Sequence, residues 1–307
     1  MDRRSFLKTA AVTGLAAMFF DRLPGAEAAA SNAGDRVPDL VVVQGGEPAA
    51  LLDAALAAMG GIAKFVKPGQ NVVIKPNIGW NRTPEEAADT NPELIGHLVK
   101  LCFKAGAKSV RVFDHTCDKD WQKCYQTSGI GPAVEAAGGT MVCGNLRRSY
   151  REVDIPNGKV LPKGEICRIV QECDVFINVP ILKNHGGAKL TACLKNLMGT
   201  IWNRGQMHRS GLQQAIADWA AVRKPDLNIL DAYRAMQTGG PRGNRASRIL
   251  DLKTLLISRD MVALDTCGAE LLDIRPSAAK HIALAAAAGL GTDDLSRLNI
   301  RKISLKS

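Results

Sequence analysis

The chain has 307 residues with 40 Lys and Arg against 30 Asp and Glu, a formal net charge of +10, and 46% hydrophobic but only 5% aromatic residues. That apolar share supports a packed core, and the absence of a basic stripe interleaved with aromatics argues against a nucleic-acid partner. What remains for the positive balance is a membrane surface, a small anionic ligand or a solvated basic surface.

The first element is Arg3-Arg4-Ser5-Phe6-Leu7-Lys8, followed by an apolar run over 9–20 and the small-residue site Ala26-Glu27-Ala28. This is the layout of a twin-arginine export signal, so residues 1–28 are expected to be removed after the twin-arginine translocase carries the folded chain to the periplasm. The apolar run is shorter than the roughly 20 residues a bilayer needs, and no cysteine lies near the cleavage site, so no stable membrane anchor is expected. Removing Arg3, Arg4, Lys8 and Arg22 together with Asp2, Asp21 and Glu27 lowers the net charge by one, from +10 to +9.

Residues 29–307 then read as a single α/β domain. A strand over 40–43, a helix over 48–59 and a strand over 71–74 give a βαβ rhythm. It continues with a helix over 91–105 stopped by Gly106, a strand over 109–113, a helix over 132–137 and a strand over 140–142. Alternation on either side of Pro156-Asn157-Gly158 predicts a small β-hairpin insertion over 151–161. The parallel pattern resumes with strands over 174–179, 227–230 and 253–257, and helices over 189–197, 212–222, 261–272 and 278–288. The fold class is therefore α/β, a mostly parallel sheet with helices on both faces.

Polar residues gather where strands end. Lys75-Pro76-Asn77, Asp114-His115, Lys183-Asn184-His185 and Asp231 each follow a predicted strand, and ligands of open α/β sheets bind outside those carboxyl ends. The segment 180–208 adds Lys189, Lys195, Asn196 and His208, a set of donors suited to a carboxylate or phosphate. Gly129-Ile130-Gly131 is not a dinucleotide fingerprint, because Val134 stands where Gly or Ala is needed. Gly239 to Gly243 reads either as an anion nest or as a surface turn. Asp260 reads as the N-cap of the helix that follows, with Asp265 as a further group available to the site. His97 and His281 read as surface or packing residues.

None of the eight cysteines forms a Cys-x-x-Cys pair, so neither a zinc ribbon nor a ferredoxin-type cluster motif is present. Six lie in apolar patterns and read as packing residues. Cys117 and Cys124 flank Trp121 in a polar stretch, open to a disulfide, free thiols or soft metal ligation.

Val73-Ile74-Lys75-Pro76-Asn77, Asn178 to His185, Leu194 to Gly199 and Asp260 to Asp265 occur in the order found in the family called domain of unknown function 362, which this chain resembles over about residues 40–275. The family pattern tends to have Lys-Thr-His where this chain has Lys183-Asn184-His185. The resemblance implies an iron-sulfur centre in some members, with appended ferredoxin-like segments that this chain lacks. An iron-sulfur cluster or transition metal would then rest on His115, Cys117 and Cys124. The expectation is an exported metal- or iron-sulfur-dependent enzyme acting on a small anionic substrate in a basic crevice. In it His185 is the general acid/base beside Lys183, and Lys75, Lys195, Asn77, Asn196, His208 and Asp231 hold the ligand. The alternative is a non-catalytic periplasmic anion-binding or maturation protein, with Cys117–Cys124 as a structural disulfide.

Overall fold

The structure, a computed structural model, describes residues 20–21, 23–24, 26–27, 36–155 and 157–305. The twin-arginine motif at 3–8 lies outside them. In chain order the strands are β1 (Ala26–Glu27), β2 (Leu40–Gln44), β3 (Asn71–Pro76), β4 (Ser109–Val112), β5 (Thr140–Met141), β6 (Tyr150–Asp154), β7 (Lys163–Cys167), β8 (Val175–Val179), β9 (Ile181–His185), β10 (Lys189–Thr191), β11 (Leu227–Met236), β12 (Ile249–Ser258) and β13 (Ile300–Ser304). The main helices are α1 (Pro48–Ala58), α2 (Pro92–Lys104), α3 (Trp121–Thr127), α4 (Ile130–Ala136), α5 (Arg168–Glu172), α6 (Cys193–Asn196), α7 (Arg204–Arg209), α8 (Leu212–Ala220), α9 (Met261–Leu271) and α10 (His281–Ala287).

One sheet runs β1-β13-β2-β12-β11-β8-β3-β4-β5, with β9 beside β11 and β10 beside β9. It is mostly parallel; β12 runs antiparallel between β2 and β11, and β10 antiparallel to β9. Successive residues of a strand face opposite sides, and the central strands are apolar on both. Val73, Phe176 and Leu230 pack with helices α6, α8, α9 and α10 on one face. Val72, Ile74, Ile177 and Ile229 pack with α1, α2 and α4 on the other. The predicted insertion is present as the antiparallel pair β6–β7, paired from Tyr150–Cys167 to Asp154–Lys163. It reaches Cys167, six residues beyond the predicted end, because the connecting loop takes up the stretch that had read as its second arm.

Two further departures bear on the site. Residues 181–191, read as a loop leading into a helix, form the hairpin β9–β10, with Lys183 opposite Thr191 and His185 opposite Lys189. Helix α6 starts only at Cys193, where Asp265 accepts the Cys193 N–H at 2.6 Å and the Leu194 N–H at 3.2 Å. Asp265 is thus a buried cap for a helix remote in sequence. Strand β11 runs through Asp231 instead of ending there, paired with β12 on both sides of a register shift between Ala232 and Arg234. Asp260 caps α9 as expected, accepting from the Val262 and Ala263 N–H groups.

Candidate functional site

At the carboxyl ends of β3 and β4, roofed by α6 and α7, lies a cavity of about 330 Å³. Its lining includes four cationic side chains, Lys75, Lys183, Lys195 and Arg204, against one carboxylate, Asp114. Lys75, Asn178 and Asn228 stand side by side across β3, β8 and β11, all turned to the face that α6 covers.

A polar network fills the floor. The Lys75 ammonium, with no exposed surface, lies 2.8 Å from Asp114 Oδ1 and donates to Asn196 Oδ1 at 3.0 Å and to the Pro76 carbonyl at 2.6 Å. Asn196 Nδ2 donates to Asn178 Oδ1 at 2.9 Å, and Asn178 Nδ2 to Asn228 Oδ1 at 3.0 Å. Asn77 Nδ2 donates to Asn196 Oδ1 at 3.0 Å, while Asn77 Oδ1 accepts from Lys183 Nζ at 3.0 Å. Lys183 also donates to the Ala88 carbonyl. Burial pulls the pKa of Lys75 down, and the Asp114 charge opposes that pull. Burial likewise pushes Lys183 down and the nearby Asp89 up, with each one's charge favouring the other's ionised form. Gly199 is required here, since a Cβ would stand 2.0 Å from Asp114 Oδ1 and 2.7 Å from Lys75 Nζ.

Three groups on the wall are differently placed. Lys195, half-buried, makes no hydrogen bond or ion pair among the described residues; its removal from water brings its pKa down to about 8, opposed by Cys117 and reinforced by the positive charges of Arg204, Lys183 and Lys75. Thr191 is 3% exposed and its hydroxyl has no partner, a loss of roughly 1–3 kcal/mol for a buried polar group. His185 Nδ1 accepts from the Gly187 and Ala188 N–H groups at 3.1 and 3.0 Å, which puts its proton on Nε2. Burial, reinforced by Lys195 and Lys183, lowers its pKa to about 3. His185 is therefore a neutral Nε2–H donor. The general acid/base role expected from its nearly neutral intrinsic pKa does not fit a ring whose basic nitrogen already takes two backbone protons.

Of the residues singled out from the sequence, Lys75, Asn77, His115, Cys117, Lys183, His185, Lys195, Asn196 and His208 all line this cavity, and Asp231 and Cys124 do not. Asp231 instead accepts from the Asn91 N–H at 2.8 Å and the Tyr233 N–H at 3.0 Å, tying the start of α2 to the sheet. Burial raises its pKa to about 6. His208, on α7, is largely exposed at the rim; partial desolvation, with the positive charges of Lys195 and Arg204, lowers its pKa. Thr191 and Arg204 were missed by the sequence reading. Arg204 donates to the His115 carbonyl at 2.8 Å and the Thr116 carbonyl at 2.7 Å, and lies 3.2 Å from Cys117 Sγ, fixing the 115–117 loop.

The metal-facing group does not assemble. Cys124 sits on α3 with no exposed surface, in the apolar core beneath α2 and α4, and burial pushes its thiol up to about 12. His115 stacks on Trp202 with ring centroids 5.0 Å apart and shares Nδ1 with the Ile201 carbonyl at 3.1 Å; burial lowers its pKa to about 4. Among the described residues no group of three or more His, Cys, Asp or Glu could hold a metal ion. Cys117 and Cys124 are free thiols, one exposed and one buried. Iodoacetamide treatment of the folded protein followed by peptide mass spectrometry should modify Cys117 and spare Cys124; equal labelling would contradict this placement.

Comparison with known proteins places the match on the same region. The profile of the family described as domain of unknown function (DUF362) matches residues 72–270. A thylakoid-associated protein of Synechocystis sp. is 27% identical over 242 residues, spanning 76% of this chain and 73% of its own. Among solved structures, the lactate racemase apoprotein from Thermoanaerobacterium thermosaccharolyticum aligns with a TM-score of 0.46 at 13% identity, over 74% of this chain and 56% of that one. A protein from Thermotoga maritima aligns with a TM-score of 0.34 at 8% identity, over the same shares of the two chains. The chain thus spans a little over half the length of each solved structure.

Proposed function

The chain belongs to the family described as domain of unknown function (DUF362), whose matched region contains the whole cavity lining, and from this premise we propose that it is an exported, periplasmic enzyme acting on a small anionic substrate. The observation that carries the reading is the charge of the cavity, four cations to one carboxylate, with the Lys195 ammonium lacking a protein partner. Lys195 is half-buried, and a cation partly withdrawn from water without a protein partner leaves a place for an anion.

The roles divide by what each group has free. Lys75 and Lys183 contribute positive potential while their protons are committed to Asp114, Asn77, Asn196 and main-chain carbonyls. Lys195, at about 8, still carries its charge at neutral pH and has its donors free for an anion. The neutral Nε2–H of His185 is a donor for a substrate oxygen. An iron-sulfur or metal centre on His115, Cys117 and Cys124 does not fit the side chains present, so no step is assigned to one.

Calorimetric titration of the full chain with small carboxylates, inorganic phosphate and the corresponding neutral amides checks this reading. Anions should bind and amides should not, with affinity falling as ionic strength rises. Amides binding as well as anions, or no anion binding at millimolar concentrations, would contradict it.

A further inference from the structure

The hairpin β9–β10 sets out a receptor that the polar floor does not explain. Lys183 and His185 are two residues apart on β9, so their side chains share one face. Thr191 stands directly opposite Lys183 in the antiparallel pair, which puts it on that face as well and one diagonal step from His185. Lys183 reaches away to Asn77 and Ala88. The Thr191 hydroxyl stays behind, buried, unpartnered and lining the cavity. Lys195 lines the same cavity from the next turn of chain, on α6, also without a partner.

We propose that Thr191, Lys195 and the Nε2–H of His185 form a binding site for a carboxylate, the end of the substrate that the cavity recognises. The proposal rests on the anionic-substrate reading above and names the group bound and a residue that no sequence signal assigned. Each of the three can donate a hydrogen bond, and only Lys195 brings a charge with its donors uncommitted. His185 cannot add a second charge without giving up the two backbone donors on Nδ1. Three donors carrying one uncommitted charge match the two oxygens and single charge of a carboxylate. A phosphate dianion would call for a second uncommitted cation at this wall.

An unpartnered buried hydroxyl also costs stability in the empty protein, a cost found where a site is built for a ligand instead of for the fold. Thr191→Val keeps the shape, removes the hydroxyl and replaces it with a methyl that needs no partner. The unliganded variant should therefore melt at or above the wild-type temperature, which also checks that it folds.

The test uses butyrate as the carboxylate probe, butyramide as its uncharged counterpart and inorganic phosphate as the competing class, each titrated by calorimetry into the full chain. Thr191→Val should weaken butyrate about tenfold, one hydrogen bond to a charged group, and Thr191→Ser should bind within about threefold of wild type. Wild type should prefer butyrate over phosphate. Thr191→Val binding butyrate like wild type, or phosphate binding more tightly than butyrate, would overturn the carboxylate site. If wild type binds butyrate and Lys195→Met does not, but Thr191→Val is unaffected, this inference fails and the anionic-substrate reading stands. If wild type binds no anion, both fail.

Discussion

Replacing Asp114 by Asn is expected to destabilise the fold by about 3–5 kcal/mol, the usual cost of leaving one charge of a buried pair without its partner. Lys75 and Asp114 are both buried, at 1% and 3% side-chain exposure. The carboxylate also accepts the Ile78 N–H at 2.7 Å and the His115 N–H at 2.8 Å. Asparagine has one acceptor oxygen where these partners use two, so at least one buried donor is orphaned while the ammonium, still bonded to Asn196 and Pro76, loses its counter-charge. Lys75→Met should be milder, because the Asp114 carboxylate keeps its two backbone donors. The double variant should lose less than the sum of the two singles, by 0.5–3 kcal/mol, as residues in one network do. Urea unfolding monitored by circular dichroism measures all three. Additive losses, or Lys75→Met proving worse than Asp114→Asn, would mean that the pair does not hold the floor of the cavity in the way its geometry implies. Gly199→Ala should resemble Asp114→Asn, since there is no room for a methyl group between the two charges.

The same pair shows what could be read in the sequence. Lys75 and Asp114 each stand at the exit of a short apolar strand, and the rule that ligands gather at those ends located both, because a parallel sheet forces its strand ends to one side. The rule failed at Asp231. Its strand appeared to end at residue 230, but pairing with the antiparallel β12 carries it on to Met236, and strand pairing is not a local property of sequence. Thr191 was lost to a wrong period: 189–197 read as a helix, whereas alternation about Gly186-Gly187 was available as a hairpin signal. Lys189, in the left-handed region at φ 69°, opens the returning strand and masks that signal. Arg204 had no sequence signature, since its role is to hold carbonyls of a loop nearly 90 residues away. The cysteines were ambiguous for a related reason. Spacing put Cys117 and Cys124 together, but helix α3 starts at Trp121 and turns Cys124 into the core, a rotation that spacing alone does not specify.

Lys195→Met should reduce affinity for small anions about tenfold to a hundredfold, the loss of one charge-assisted hydrogen bond. Lys195→Arg should keep part of it, since the charge remains while the point-like ammonium geometry is lost. Lys183 is also brought down to about 8, so the comparison of Lys195→Met with wild type, and not the wild-type curve alone, assigns the pH dependence to Lys195. Its ammonium is present below about 8, so anion affinity should be level under that pH and fall about tenfold per unit above it. Stability of the ligand-free protein should move the other way. The folded-state pKa lies below the unfolded value of about 10.4, so the unfolded chain binds more protons between the two, and the lysine's contribution to stability rises with pH across that window. Below about 8 the penalty for partly desolvating an unpaired ammonium is fully present, and above about 10.4 it is gone. Lys195→Met should therefore be more stable than wild type at pH 7 and should lose that rise, while binding the anion poorly at every pH. Calorimetric affinities and thermal midpoints measured from pH 6 to 10 give both curves. If Lys195→Met keeps the fall in anion affinity above pH 8, another group carries the charge that holds the anion, and Lys195 is not the residue around which the cavity works.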